Sequence, residues 1–146
     1  MGSGLTYQLL TRDQYVRGRP TVITFRIENT GARESWILTW YTPLEGIRGK
    51  IFEVVCNGQT LPYEGRMVKR GDPAADDYLH LAPGGSATAD VDLAEVYTLP
   101  PCDECAVSFR GTIRDVVYES QLLPRPMDRH EPAEIPGNSV SFRIVE

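Results

Sequence analysis

Apolar and polar residues alternate with a period of two in many segments along the chain, which limits the folds that it can adopt. Between Val22 and Glu28, for example, Ile23, Phe25 and Ile27 would share one face of an extended strand. Such alternation is typical of half-buried strands, whose successive side chains point to opposite faces. Candidate strands cover residues 5–10, 22–28, 36–41, 51–56, 60–63, 78–81, 87–93, 105–109, 113–118 and 140–144.

Turn residues separate these runs. Asn57-Gly58 tolerates the positive φ angles of a type I′ hairpin turn, and Pro83-Gly84 suits a type II turn. Only residues 72–77 and 93–97 are expected to form short helical turns. With 146 residues, eleven prolines and thirteen glycines, the chain is predicted to be one domain, residues 1–146. Its predicted class is all-β, a Greek-key β-sandwich of about seven to nine strands.

The segment 119–138, immediately before the last strand, interrupts the alternation. It holds Pro124, Pro126, Pro132 and Pro136, and this many missing amide donors rule out a regular strand. Loops of this length are uncommon in compact domains. Two alternatives remain open for this Pro-rich loop: a polyproline-like arm laid along the sandwich, or a mobile segment.

Charge and hydropathy narrow the classes of partner. The net charge is −5, which opposes the basic footprint of a nucleic-acid-binding protein, although residues 1–71 carry ten basic against six acidic side chains. The chain contains neither a membrane-spanning apolar run nor a signal peptide. Residues 1–4 are interpreted as a tag remnant or a disordered start. A cytoplasmic location is expected if the chain is complete, and a secreted or periplasmic one if a leader was removed.

Chemistry-bearing motifs are sparse. Cys102 and Cys105 form a lone CxxC, which lacks the second pair that a four-ligand zinc site needs, so we expect a turn there. Two alternatives stay open for this turn: its cysteines are unpaired, or one of them pairs with Cys56. His130-Glu131 begins like a zinc-peptidase HExxH, but position 134 is glutamate. His80 is expected to be a hydrogen-bonded strand histidine. We therefore predict no catalytic residue, cofactor-binding residue, cofactor or metal.

Surface recognition remains, and two stretches are candidates for it. The predicted partner-binding residues are Tyr41, Pro43, Leu44, Ile47, Arg66, Lys69 and Arg70. The first stretch is aromatic and apolar and includes Tyr41, Pro43, Leu44 and Ile47. The alternative interpretation of this stretch is that the neighbouring Trp36 and Trp40 lie in the sandwich core, as strand tryptophans often do. The second stretch is the basic cluster of Arg66, Lys69 and Arg70. The alternative interpretation of this cluster is a solvated strand edge, where lysine discourages aggregation.

Several motifs occur in a specific order along the chain. They are Phe25-Arg26-Ile27-Glu28-Asn29-Thr30-Gly31, Pro43-Leu44-Glu45-Gly46, Phe52-Glu53-Val54, Tyr63-Glu64-Gly65-Arg66-Met67-Val68-Lys69-Arg70, Asp77-Tyr78, Leu81-Ala82-Pro83-Gly84-Gly85-Ser86 and Val91-Asp92-Leu93. This set resembles the N-terminal, non-catalytic domain of bacterial deuterolysin-like (aspzincin) zinc metalloendopeptidases, over residues 5–118. A weaker similarity, carried by "Asn-x-Gly" and "Leu-x-Pro-Gly-x-Ser", is to small intracellular proteinase inhibitors of bacilli.

The resemblance implies an immunoglobulin-like sandwich that acts as a propeptide, chaperone or inhibitor toward a peptidase. The catalytic domain of those enzymes, with its HExxH helix, is absent from this sequence. We therefore predict a non-enzymatic protein-binding module, a monomer or weak homo-oligomer whose partner is a metallopeptidase or another peptidase. The alternatives are a structural or assembly domain without a peptidase partner, and an enzyme that uses surface carboxylates such as Asp90 and Asp92.

Overall fold

The computed structural model describes residues 3–146, which form strands joined by turns and short 3₁₀ segments. The strands are β1 (Leu5–Leu10), β2 (Gln14–Val16), β3 (Val22–Asn29), β4 (Ser35–Leu38), β5 (Phe52–Cys56), β6 (Gln59–Thr60), β7 (Tyr78–Leu81), β8 (Ser86–Asp92), β9 (Cys102–Phe109), β10 (Thr112–Ile113), β11 (Val116–Val117), β12 (Ala133–Glu134) and β13 (Val140–Val145). The 3₁₀ segments are Ala75–Asp77, Leu93–Glu95, Ser120–Leu122 and Met127–Arg129. The predicted all-β class is confirmed, and eight of these strands have four residues or more.

Two sheets form the sandwich. One has the strand order β1-β3-β8 and the other β2-β13-β9-β5-β6, with β2 parallel to β13 and the remaining pairs antiparallel. The alternating apolar faces meet between them, where the rings of Phe25 in β3 and Phe109 in β9 lie 5.3 Å apart. Within the five-stranded sheet, the rings of Tyr15 and Phe142 lie 4.8 Å apart. Because neighbouring strands are distant in sequence, the chain crosses repeatedly between sheets. The result is an immunoglobulin-like Greek-key β-sandwich.

A smaller sheet, β11-β4-β7, has its own hydrophobic cluster of Leu38, Trp40, Tyr78 and Val117. The prediction of one strand over residues 113–118 is wrong, because the chain leaves β10 and enters a different sheet at β11. The two parts of this segment belong to different sheets because β10 pairs with β12, whereas β11 pairs with β4. β10 pairs with β12 inside the Pro-rich loop, so that loop contains a short strand that was not expected.

The predicted turns are confirmed where a residue must adopt positive φ. Asn57 has φ 47° and Gly58 φ 82°, and they join β5 to β6 as a type I′ hairpin requires. Gly84, with φ 79°, joins β7 to β8. Both expected helical turns are present, but the expectation of only two is wrong, since Ser120–Leu122 and Met127–Arg129 are 3₁₀ segments as well. Strand β6 ends at Thr60 rather than continuing to residue 63. At the start of the chain, residues 1 and 2 of the interpreted tag lie outside the described residues, and the Gly4 carbonyl accepts a hydrogen bond from the Thr30 amide.

The Pro-rich loop lies along the sandwich, so the first of its two alternatives gives its placement, but its backbone includes two 3₁₀ segments and the strand β12 rather than one polyproline-like arm. The Tyr7 amide donates to the Pro136 carbonyl at 3.0 Å. The side-chain amide of Asn138 accepts from the Leu9 N–H at 2.7 Å and donates to the Leu9 carbonyl at 3.0 Å. These hydrogen bonds satisfy backbone groups of β1 that would otherwise face solvent, as a paired strand would. The loop therefore covers the outer edge of β1 and protects it from pairing with another chain.

A buried carboxylate fixes the first half of this loop. Asp115 is fully buried and accepts hydrogen bonds from the Tyr78 hydroxyl at 2.6 Å, the Arg125 Nε at 3.0 Å and the Glu131 amide at 2.9 Å. Arg125 Nη2 also donates to this carboxylate. The network joins β7 to two points of the Pro-rich loop, and every member gains a partner that water no longer supplies.

Because of this network, the free energy of unfolding should depend on pH. Burial alone raises the pKa of Asp115, but hydrogen bonds from Arg125, the Glu131 amide and Tyr78 outweigh it and hold the pKa below its ordinary value of 3.8. The unfolded chain therefore takes up a proton at higher pH than the folded chain does. We expect this part of the stability to be present above the ordinary carboxyl pKa and to be lost as pH falls through and below it.

Urea unfolding between pH 6 and 3 should measure this loss. Asp115→Asn removes the titrating group, so its unfolding free energy should fall less steeply with acid than that of the wild type. Equal slopes for the two proteins would contradict a lowered pKa at Asp115.

Candidate partner-binding surface

The predicted aromatic stretch forms a compact turn, residues 40–47, which we call the aromatic loop. The Thr42 hydroxyl donates to the Thr39 carbonyl at 2.7 Å and accepts from the Leu44 amide at 3.1 Å. Tyr41 has φ 59°, an uncommon conformation for a large side chain, and its amide donates to Glu45 Oε2 at 2.8 Å. Local side-chain hydrogen bonds thus close the turn and hold Tyr41 in place.

The predicted basic stretch, residues 65–70, lies against this loop, and we call it the basic segment. Arg70 Nη2 lies 2.7 Å from each carboxylate oxygen of Glu45, and both side chains are nearly buried, with 10% and 11% of their surface exposed. The guanidinium also lies over the rings of Trp40 and Tyr41, at 4.6 and 5.1 Å from their centroids. The Tyr41 hydroxyl donates to the Val68 carbonyl at 3.2 Å. Arg70 therefore ties the two stretches together.

The seven predicted residues divide into two groups. Pro43 is buried, Arg70 is committed to Glu45, and the others of the aromatic loop, Tyr41, Leu44 and Ile47, are half-buried and pack against the core. Arg66 and Lys69 are exposed, on either side of Met67, whose side chain is 75% exposed. The strand-edge interpretation of the basic cluster is wrong, since residues 61–74 form no strand.

The two tryptophans also differ. Trp40 is buried, though in the smaller hydrophobic cluster rather than between the two main sheets. Trp36 is half-buried and stacks on His80 with ring centroids 4.5 Å apart. The core interpretation therefore describes Trp40 better than Trp36.

A second surface, which the sequence patterns did not indicate, is a groove of about 770 Å³ between the ends of β1, β2 and β3. Leu10, Val16 and Val22 line it and are 43%, 44% and 41% exposed. Arg12 and Arg19 also line it, and no carboxylate does within the described residues. The chain leaves one sheet at the end of β1 and joins the other at β2, so the two sheet edges separate here and leave apolar side chains uncovered.

Tyr15 fixes the walls of this groove. Its hydroxyl accepts a hydrogen bond from the Arg12 amide at 3.1 Å and donates to the Val22 carbonyl at 2.6 Å. The chain between β1 and β2 is thereby tied to the first residue of β3. The groove is therefore a preformed part of the sandwich, and its only sequence signal was three apolar residues at solvent-facing strand positions.

One wall of the groove is a strand edge. The Arg143 amide donates to the Asp13 carbonyl and the Arg17 amide to the Val145 carbonyl, so alternate residues of this stretch face β13. Because backbone groups alternate in direction along a strand, the amides of Gln14 and Val16 point away from β13. The Val16 carbonyl accepts a hydrogen bond from the Arg19 amide at 3.1 Å, so the amides of Gln14 and Val16 are the groups of this edge that face an additional strand.

The histidines and acidic pairs have local structural partners. His80 Nε2 lies 2.6 Å from Glu34 Oε1, which confirms the predicted hydrogen-bonded strand histidine. His130 Nε2 lies 2.9 Å from the Arg125 carbonyl oxygen. Asp92 accepts from two backbone amides, of Thr21 and Ala94, and Asp90 accepts from the Thr24 hydroxyl.

The cysteines do not lie as predicted. Cys102 and Cys105 belong to strand β9 rather than to a turn, and Cys56 ends the neighbouring strand β5. All three are buried free thiols, as expected for Cys56, and their Sγ atoms lie within 4.8 Å of one another. Three thiols at this spacing are the one group in the described chain with the donor number and proximity to hold a metal ion.

Comparisons with known proteins give limited similarity. No family model matches the chain. It is 30% identical over 77 residues to an extracellular protease of Aeromonas hydrophila, a match that covers 53% of this chain but 22% of the protease. A cohesin module from a family 33 glycoside hydrolase of Clostridium perfringens aligns over 97% of each chain, with 10% identity and a TM-score of 0.35. Within residues 3–146 no helix is long and apolar enough to cross a membrane. The chain is thus a β-domain with sequence similarity to about a fifth of an extracellular protease.

Proposed function

We propose that this chain is a non-catalytic protein-binding module that associates with a peptidase, as a propeptide-like or inhibitor-like domain of the deuterolysin-like type. The similarity to part of an extracellular protease supports the link to a peptidase. The proposal that the module is non-catalytic is supported by the two histidines and Asp92, whose side chains are hydrogen-bonded to neighbouring side-chain or backbone groups of the same chain.

The apolar groove between β1, β2 and β3 is the observation that carries the binding role. Its three large apolar side chains are each more than 40% exposed. Exposed apolar side chains that lie together are typical of a surface that binds another molecule. Arg12 and Arg19 flank this apolar floor. The occupant that fits is an extended segment of the peptidase with apolar side chains and nearby carboxylates, because its charge complements the two arginines.

Backbone geometry favours the same occupant. An extended segment can pair with the free edge of β2 through the amides of Gln14 and Val16 while its alternate side chains enter the groove. The side chains of Leu10 and Val22 would then contact the apolar positions of the added strand. Backbone pairing supplies affinity, and the apolar and charged contacts supply selectivity.

Binding measurements with groove variants test this proposal. The wild type should bind a deuterolysin-like metallopeptidase with micromolar affinity or better and slow its cleavage of a reporter peptide. Val16→Asp places a charge on the apolar floor, and Arg19→Glu reverses a flanking charge. Each should weaken binding at least tenfold, equivalent to about 1.4 kcal/mol.

Lys69→Glu is the matched control, because it reverses an exposed charge in the basic segment and leaves the groove intact. It should leave the affinity unchanged. Loss of binding in Lys69→Glu but not in Val16→Asp would assign the interface to the predicted basic residues instead. No binding to a metallopeptidase or to a serine peptidase would reject the peptidase link, and a stable homo-oligomer abolished by Val16→Asp would support an assembly domain.

A further inference from the structure

The three buried thiols converge because strand β9 is irregular. Residues three apart on a regular strand face opposite sides of the sheet. In the ladder with β13, however, Phe142 is opposite Cys105 and Ile144 is opposite Cys102, so β9 has one extra residue between these pairs. This β-bulge turns the two residues between the cysteines toward solvent and both cysteines toward the core.

Cys56 meets this pair from the neighbouring strand. It lies directly opposite Cys105 in the antiparallel ladder of β5 and β9. The Asn57 amide donates to the Glu104 carbonyl at 2.9 Å, so the hydrogen bonds flank the cysteine pair rather than join it. At such a non-hydrogen-bonded position the Cα atoms lie roughly 4.5 Å apart, within the range of about 4.4–6.8 Å that a disulfide spans.

Cys102 cannot take part in the same way. It precedes Cys105 by three residues, which along an extended strand is on the order of 10 Å. The bulge shortens this separation, because Phe142 and Ile144, which lie opposite Cys105 and Cys102, are two positions apart, roughly 7 Å along the strand. The Cα of Cys102 is therefore near the upper limit of about 7 Å for bridging to Cys105, and farther from that of Cys56, which lies opposite Cys105. The backbone therefore favours one of the three pairings, although all three sulfur atoms are close together.

We propose that Cys56 and Cys105 are an oxidation site that forms a cross-strand disulfide, while Cys102 remains a thiol. With oxidised glutathione as the oxidant, the thiolate of one cysteine attacks the glutathione disulfide and releases one reduced glutathione. The second cysteine then attacks the mixed disulfide and releases another. Two S–H bonds are lost and one S–S bond forms, and the glutathione pair takes up both protons and both electrons.

The buried surroundings suit an uncharged product. Burial, together with hydrogen bonding to Cys56, raises the pKa of Cys102 to about 11, and burial raises that of Cys105 further. Without a cation beside them the cysteines are therefore neutral thiols at neutral pH, and the disulfide that they form is neutral as well. The same raised pKa makes the oxidation slow at neutral pH and faster in mild alkali.

Mass spectrometry of the full chain after incubation with oxidised glutathione tests the proposal. The intact mass should fall by two hydrogen atoms, one thiol should remain available for alkylation, and peptide mapping should link Cys56 to Cys105. The bridge should raise Tm by roughly 10 °C, since it closes a long loop of the unfolded chain. A reductant should reverse both changes.

Two variants distinguish the pairings. Cys102→Ala should still form the bridge and show the same rise in Tm, whereas Cys105→Ala should form none. A bridge that includes Cys102, or no bridge in either the wild type or Cys102→Ala, would overturn the proposal. Zinc or copper bound at close to one ion per chain, protecting all three thiols from alkylation, would also overturn it in favour of a metal site.

Discussion

Replacing Asp115 with alanine should lower the free energy of unfolding by about 3–5 kcal/mol, the range observed when one partner of a buried ion pair is removed. The substitution removes the buried carboxylate of Arg125, which keeps only the exposed carboxylate of Glu131 3.6 Å from its Nη1, and leaves the Tyr78 hydroxyl and the Glu131 amide without their acceptor. Unsatisfied buried donors cost more than the hydrogen bonds contributed. The loss should be largest where the network holds the Pro-rich loop to β7.

Urea unfolding gives the free-energy change, and hydrogen exchange locates it. Amides of residues 119–138 should exchange faster in Asp115→Ala than in the wild type. Asp128→Ala is the matched control, because Asp128 is an exposed carboxylate of the same loop. Its stability should stay within about 0.5 kcal/mol of the wild type. A similar small change in Asp115→Ala would show that the buried network contributes little.

Replacing Arg70 with alanine should cost about 2–4 kcal/mol in the free energy of unfolding, because Glu45 would keep a nearly buried charge without the Nη2 group that contacts both of its oxygens. The cation–π contacts with Trp40 and Tyr41 would be lost as well. Both stretches should loosen together, since Arg70 is the side chain that joins them. Unfolding in urea measures the loss, and tryptophan fluorescence reports the change around Trp40.

Variants of the same segment separate this effect from general disruption. Arg66→Ala removes an exposed arginine four positions away and should change stability by less than about 0.5 kcal/mol. Glu45→Gln combined with Arg70→Ala should cost less than the sum of the single changes, because the second change removes a charge that the first left unpaired. Additive losses would indicate that the two side chains do not interact.

Sequence patterns predicted those strands and turns whose conformation depends on residues adjacent in the chain. The alternation in residues 22–28 placed Ile23, Phe25 and Ile27 on a buried face because side-chain direction in a strand follows from the chain itself. Asn57-Gly58 specified a hairpin because few residues tolerate its backbone angles. The Pro-rich segment was recognisable as a loop for the same kind of local reason.

The partner-binding residues were harder to predict, since exposure depends on distant packing. Arg70 and Arg66 are both arginines in one short segment, yet one is held by Glu45 and the other is exposed. Nothing local distinguishes them. Val16 and Val22 likewise read as ordinary strand residues, and only the separation of the two sheets leaves them lining a groove.

Backbone preferences and alternation act over a few residues, so the all-β sandwich, its main turns and the position of the Pro-rich loop follow from local patterns in the chain. Which side chains meet depends on how the strands are arranged in the folded domain. This arrangement joins Asp115 to Arg125 and Arg70 to Glu45, and it gathers the three cysteines through a bulge in β9. Those contacts depend on strand register and on bends between sheets, which residues far apart in the chain set together.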